Sequence, residues 1–176
     1  EVGHCFLGSA DGWLYALATV DGGEVWRFYT GASLPSRPWI SEGQLYTAAR
    51  PGQLLSLDLN SGTRLGQADT QSPVVAGPVG AEDRLVVGCE DGYVRAYRQQ
   101  SLARLWEQRL GAPLQADPVW VQDRLVCLAG NGWVYGLDPG KGEVKWRLAL
   151  EGKGSGPLAQ GPAGVHRVAD AREERD

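Results

Sequence analysis

The run Gly130-Asn131-Gly132-Trp133-Val134-Tyr135-Gly136-Leu137-Asp138 has three counterparts upstream of itself. Ser9-Ala-Asp11-Gly12-Trp-Leu-Tyr-Ala-Leu17, Pro51-Gly52-Gln-Leu-Leu-Ser-Leu-Asp58 and Glu90-Asp91-Gly92-Tyr-Val-Arg-Ala-Tyr97 stand in the same register. Gly12, Gly52, Gly92 and Gly132 thus recur every 40 residues. Fourteen residues beyond them come Trp26, Gly66, Trp106 and Trp146. Pro38, Pro78 and Pro118 keep the same period, and the fourth equivalent slips by one to Pro157. A unit of this length that reads as short strands and tight turns has the period of a β-propeller blade.

Turn chemistry places four strands in each unit. The first follows the proline (Trp39-Ile40, Val79, Val119-Trp120-Val121) and the second is Gln44-Leu-Tyr-Thr-Ala-Ala and its equivalents. Asp11-Gly12, Asp91-Gly92 and Asn131-Gly132 are expected to form two-residue type I′ hairpins, which need the positive φ that Asn, Asp and Gly tolerate best; Pro51-Gly52 is expected to turn differently. The third strand, Trp13 to Leu17 and its equivalents, is apolar at both parities, so both of its faces need cover from neighbouring blades. A loop with Gly22, Gly62 or Gly142 leads to the outer strand, and Leu102 replaces that glycine in the third unit. The expected architecture is all-β: four-stranded antiparallel blades in about four repeats, within a propeller of seven or eight blades. Residues 1–31 read as a partial blade of three strands. Residues 32–71, 72–111 and 112–151 read as blades, and 152–176 as a candidate opening strand followed by a charged tail. A small closed four-blade ring is the alternative. A chain that starts with Glu1 and contains no Met favours the slice. A slice with open sheet edges is expected to self-associate.

The chain has 176 residues, with 43% hydrophobic content and 25 glycines and ten prolines against two phenylalanines. That composition suits short strands and poorly suits long helices. Seventeen basic residues against 21 acidic ones give no footprint for nucleic acid. No stretch reaches the length of a membrane span. Cys5, Cys89 and Cys127 occupy three different repeat positions without CxxC spacing, and are expected to be small buried hydrophobes. His4 and His166 are the two histidines and belong to no nucleophile or metal motif.

Ala16-Leu-Ala-Thr-Val-Asp-Gly22-Gly-Glu-Val-Trp26 and Gly136-Leu-Asp138-Pro-Gly-Lys-Gly142-Glu-Val-Lys-Trp146 resemble the pyrroloquinoline-quinone-like (PQQ-like) propeller repeat, whose signature is Ala-x-Asp-x-x-x-Gly-x-x-x-Trp. The resemblance covers about residues 3 to 151. It departs from the pattern at Gly66, which removes one tryptophan, and at Ala18 and Arg98, which replace the aspartate. The motif has a local physical reason: an indole on the outer strand can lie over the small residue at Ala16, Ser56, Ala96 or Gly136, while its N–H reaches a backbone acceptor in the adjacent blade. Gly12, Gly52, Gly92, Gly132, Trp26, Trp106 and Trp146 are accordingly read as the structural repeat motif.

The resemblance leaves two functional classes open. Quinone-dependent alcohol and sugar dehydrogenases use such blades with a calcium or lanthanide ligand set, a catalytic Asp and often a disulfide of adjacent cysteines. None of these can be placed on this sequence; Asp11, Asp91 and Asn131 read as turn formers. A dehydrogenase fragment is the alternative reading. The preferred one is a noncatalytic propeller without cofactor or metal, acting as a protein-interaction scaffold or ligand-sensing module. Its partner is expected to be a protein, and the family suggests the bacterial periplasm or cell envelope. The binding face would gather the loops between blades and the hairpins between second and third strands, because both lie at the same strand ends. Arg37, Arg50, Glu90, Gln115 and Asp117 would sit there, with Trp39 and Trp120 near the central channel either packing the core or stacking on a ligand.

Overall fold

A computed structural model describes residues 3–34, 36–150, 158–161 and 164–167. The described residues contain strands, turns and bends and no helix. The first sheet has three strands, β1 (His4–Gly8), β2 (Trp13–Ala18) and β3 (Glu24–Tyr29), in that order. The second is β4 (Trp39–Ser41), β5 (Gln44–Ala49), β6 (Gln53–Asp58) and β7 (Arg64–Asp69). The third is β8 (Val74–Ala81), β9 (Arg84–Cys89), β10 (Tyr93–Arg98) and β11 (Arg104–Arg109). The fourth is β12 (Val119–Val121), β13 (Arg124–Leu128), β14 (Trp133–Leu137) and β15 (Val144–Ala149). Every pairing is antiparallel between strands consecutive in sequence, the up-and-down meander of propeller blades. A further pair, β16 (Leu158–Gly161) and β17 (Gly164–Arg167), forms its own two-stranded sheet, with β16 against β12. β16 and β17 therefore follow the places of a first and second strand on the repeat. The small four-blade ring would need β16 paired with β1, and β16 pairs with β17 instead.

The core is three layers, one between each pair of neighbouring sheets. Leu14, Ala16, Trp26, Leu45 and Leu57 fill the first. Tyr46, Leu54, Val74, Leu85, Val87, Tyr97 and Leu102 fill the second, and Val86, Val94, Trp106, Leu125, Cys127, Tyr135 and Leu137 the third. Leu54, Leu55 and Leu57 of β6 are all buried, which accounts for the apolar residues at both parities of a third strand.

The hairpins differ from the sequence expectation. Gly12, Gly92 and Gly132 have φ of 90°, 79° and 82°, whereas Asp11, Asp91 and Asn131 stay at negative φ. The Gly12 N–H bonds the Ser9 carbonyl and the Ser9 N–H bonds the Trp13 carbonyl, a type I turn followed by a left-handed glycine bulge. A type I′ turn needs positive φ at both central residues. Here the side chains of Asp11, Asp91 and Asn131 instead accept the N–H two residues on, from Trp13, Tyr93 and Trp133, at 3.1–3.2 Å, and hold the turn in the negative region. The positive pair falls at Glu42–Gly43, between β4 and β5, with φ of 50° and 73°. Pro51-Gly52 does turn differently, since Gly52 is not in the left-handed region.

The docking motif is explained in detail by the structure. Asp58 and Asp138 accept backbone N–H groups two and three residues on, curling the loop so that Gly62 and Gly142 enter the left-handed region at 69° and 75°. These bonds hold both carboxyls below the usual carboxylate range, led by the Ser61 hydroxyl for Asp58 and the Lys141 N–H for Asp138. The glycine then makes a floor for the tryptophan of the preceding sheet. A Cβ on Gly62 would stand 2.6 Å from the Trp26 ring, and one on Gly142 would run into Trp106. Trp26 Nε1 donates to the Leu59 carbonyl at 3.1 Å and Trp106 Nε1 to the Pro139 carbonyl at 2.9 Å, each acceptor one residue past the aspartate or its equivalent. Both indoles are 8% exposed, whereas Trp146 is 44% exposed.

The contact between the second and third sheets lacks the tryptophan, the aspartate and the glycine together. Leu102 enters the place the indole would take, its Cδ1 about a contact distance, 3.5 Å, from a Cβ built on Gly66. It does so from a left-handed backbone at φ 53°. The departures at Gly66, Arg98 and Leu102 are therefore one coordinated replacement.

Candidate functional site

Hydrogen bonds tie the hairpins to the loops between sheets and so define one end of the molecule. The Thr30 N–H bonds the Gly12 carbonyl, Arg50 N–H the Ser33 carbonyl, Glu90 N–H the Pro73 carbonyl and Gly130 N–H the Pro113 carbonyl, at 2.8–3.1 Å. Arg50, Glu90 and Gln115 stand on this end with exposed side chains, and the Gln115 backbone is held by the Leu128 carbonyl at 3.0 Å.

Arg37, Gly77 and Asp117 are the same position in three successive units, and the fold brings them together. The Arg37 guanidinium meets the Asp117 carboxylate at 3.3 Å, and the other Asp117 oxygen accepts the Gly77 N–H at 2.6 Å. Arg37 is almost wholly exposed and Asp117 half-buried, so the pair presents a cation over a fixed carboxylate. The sequence reading named Arg37 and Asp117 and missed Gly77; the 40-residue register was the signal that could have found it.

Trp39 and Trp120 lie on the innermost strands β4 and β12 and are half-buried. Trp39 packs against the layer containing Tyr46 and Tyr97, its indole edge at Gly80, where a Cβ could not be accommodated. Trp120 packs against the layer between the third and fourth sheets. Both indole N–H groups are buried without a hydrogen-bond partner among the described residues.

A clamp stiffens the hairpin beside Glu90. The buried Arg95 guanidinium bonds both oxygens of Asp91, at 3.1 and 2.7 Å, and Glu107 at 3.2 Å. Burial would raise the Asp91 carboxyl, but the Arg95 bonds and charge and the Tyr93 N–H outweigh it and hold the group below its ordinary value. Cys89 and Cys127 are buried, and burial pushes both thiols up. Cys5 departs from the sequence expectation by being exposed. Its equivalents Leu45, Leu85 and Leu125 are each covered by the preceding sheet, and no described residue covers the first sheet in that way.

Asp11, Asp91 and Asn131 are taken up by turns, and Asp91 also by Arg95. Among the described residues no three His, Cys, Asp or Glu side chains converge as a metal site, and no helix is long and apolar enough to cross a membrane.

The repeating sheets, the interlocked Trp–Gly contacts and the loop-end junction define a PQQ-like-repeat β-propeller segment. The family model for the outer membrane protein assembly factor BamB matches residues 10–160, and the chain belongs to that family. Solved structures share its fold. BamB from Moraxella catarrhalis is 22% identical with a TM-score of 0.77, over 93% of this chain and 56% of that one. The computationally designed Ika8 protein is 17% identical with a TM-score of 0.82, over 94% and 52%. Quinohemoprotein alcohol dehydrogenase from Comamonas testosteroni is 14% identical with a TM-score of 0.77, over 94% and 38%. The chain thus spans about half the length of the first two and less of the third. No curated protein matches the sequence.

Proposed function

We propose that this chain is a noncatalytic propeller segment that binds a protein partner through its loop end, in the bacterial cell envelope and without a cofactor. The observation that carries this reading is the Arg37–Asp117–Gly77 junction, which ties two inter-sheet loops to strand β8 in one mixed-charge surface flanked by Arg50, Glu90 and Gln115. A carboxylate held by a backbone N–H, with charges of both signs around it on a stiff scaffold, suits recognition of a folded protein, because little order has to be gained on binding. Family membership supports the same direction.

The test places a photoreactive residue at Arg50 or Glu90 on the loop end and at Asn60 or Lys141 on the opposite end, then exposes the protein to a bacterial envelope extract. One discrete protein adduct from the loop-end sites, lost on Arg37→Glu with Asp117→Lys unable to restore it alone, is the expected result. Equal adducts from both ends would refute the reading. In parallel, the protein is titrated with pyrroloquinoline quinone and calcium and assayed for dye-linked alcohol oxidation. Turnover there would establish the dehydrogenase reading instead.

A further inference from the structure

The groove between the third and fourth sheets opens at its outer rim into a cavity of about 610 Å³, lined by Arg109 and Gly111 from β11 and the loop after it, and by Tyr135, Val144, Lys145 and Arg147 from β14 and β15. Its counterpart between the second and third sheets is closed by the chain's own side chains. There Arg104 reaches across to the Gln71 side chain at 2.9 Å and bonds Glu107 at 3.2 Å, while Arg95 is held by Asp91 and Glu107. Forty residues on, Gly111 stands for Gln71 and Val144 for Arg104, so the span across the groove is lost. Asn131 and Tyr135 stand for Asp91 and Arg95 and close the floor with neutral bonds, both donating to the Leu110 carbonyl, at 3.2 and 3.1 Å. The rim reverses its sign: Arg109 stands for Asp69 and Arg147 for Glu107. Both guanidiniums are exposed and make no ion pair among the described residues, whereas Lys145 is held by Glu143 at 2.8 Å. The Arg147 guanidinium lies 4.9 Å over the Trp133 ring, a stack that orients its plane and leaves its edge donors free.

We propose that this groove binds an acidic segment of a partner protein, with Arg109 and Arg147 each taking a carboxylate. In the counterpart groove the fold meets its guanidiniums with carboxylates of its own, Asp91 and Glu107. In this one the guanidiniums stand without them, and the bound segment supplies what the chain omits. The planar fork of arginine matches a carboxylate with two parallel bonds. The chain carries a net charge of -4, so its overall field repels an extended polyanion such as nucleic acid or an anionic membrane, while two cations in one groove draw a short acidic segment. The cavity has room for a run of side chains, well beyond one inorganic ion. Outer strands build this groove, whereas the Arg37–Asp117 junction sits on the segments entering inner strands, so the proposal does not rest on the loop-end reading.

A fluorescein-labelled Glu-Ala-Glu-Ala-Glu peptide, whose glutamates share one side of an extended chain, is the probe. It is titrated into the protein at low salt and followed by fluorescence anisotropy. Saturable binding is expected, weakening as salt rises and absent for the analogue with glutamine at every glutamate. Arg109→Asp and Arg147→Glu install the residues of the counterpart groove, and each should weaken binding at least about tenfold. Both positions are exposed, so urea midpoints should stay close to that of the unsubstituted protein. Arg64→Glu makes the same charge change on the exposed second sheet, and Arg37→Glu makes it at the loop end; neither should alter the affinity. Amide resonances moved by the peptide should centre on Gly111, Tyr135 and Arg147. A peptide that binds no better than its glutamine analogue overturns the proposal, and so does an equal loss in Arg64→Glu or Arg37→Glu. Inorganic phosphate that displaces the peptide at equal concentration also overturns it, by making the groove a general anion site.

Discussion

Trp106→Ala should be among the most destabilising single changes in this chain, and Trp146→Ala, the same substitution at the same motif position, among the mildest. Removing an 8% exposed indole from the layer between the third and fourth sheets leaves a cavity and costs about 3–5 kcal/mol. The Pro139 carbonyl also loses its 2.9 Å donor, worth about 1 kcal/mol. A combined loss of about 5 kcal/mol, divided by a urea dependence of about 2 kcal/mol per molar for a domain of this size, moves the midpoint by about 2.5 M. Trp146 lies 44% exposed, and its removal should stay within about 1 kcal/mol. Trp106→Phe keeps most of the stack on Gly142 and forfeits the N–H bond, so it should fall between the two, at about 1–2 kcal/mol. Urea unfolding at low protein concentration, followed by far-ultraviolet circular dichroism, measures all three. Equal midpoints for Trp106→Ala and Trp146→Ala would refute the docking account, since only the contact with the next sheet distinguishes them.

Gly62→Ala and Gly22→Ala both place a Cβ at positive φ, but only the first drives it into an indole, so Gly62→Ala should cost about 1–3 kcal/mol more in the same unfolding assay. Gly66→Trp alone should destabilise by overpacking against Leu102, and Leu102→Gly alone by opening a cavity, while the double change rebuilds the Trp–Gly contact; a thermal-melt double-mutant cycle should show a favourable coupling of about 1 kcal/mol or more. Asp91 has a folded-state pKa below its unfolded one, so its stabilising pairing with Arg95 is fully present above about pH 4 and is lost as pH falls through the folded value. Asp91→Asn should therefore lower the urea midpoint at neutral pH and flatten its decline in acid.

Much of the fold is legible because the repeat is carried by local chemistry. Glycines at fixed spacing, prolines ahead of first strands and indoles on outer strands each act within one unit or on the next. The hairpin type was not legible, because Asp-Gly suits both a type I′ turn and a type I turn with a glycine bulge. Only the side-chain bond from Asp11 to the Trp13 N–H decides between them. Nor was the role of Leu102, which reads as a lost glycine until it is seen beside Gly66, itself a lost tryptophan. At the loop end, the sequence reading marked Arg37, Arg50, Glu90, Gln115 and Asp117 as neighbours by their strand ends. That Arg37 pairs with Asp117, 80 residues away, through a junction with Gly77 depended on how three sheets turn about one axis.

The sequence by itself determined the unit: its length, its four strands, the places where it turns and the small residues that let an indole settle. Those are short-range consequences of backbone sterics and side-chain size. What covers each sheet was decided only in the tertiary structure, because the same motif residue is buried or open according to whether a neighbouring sheet stands against it. Trp106 and Trp146 are equivalent in sequence, and their exposures of 8% and 44% record that difference.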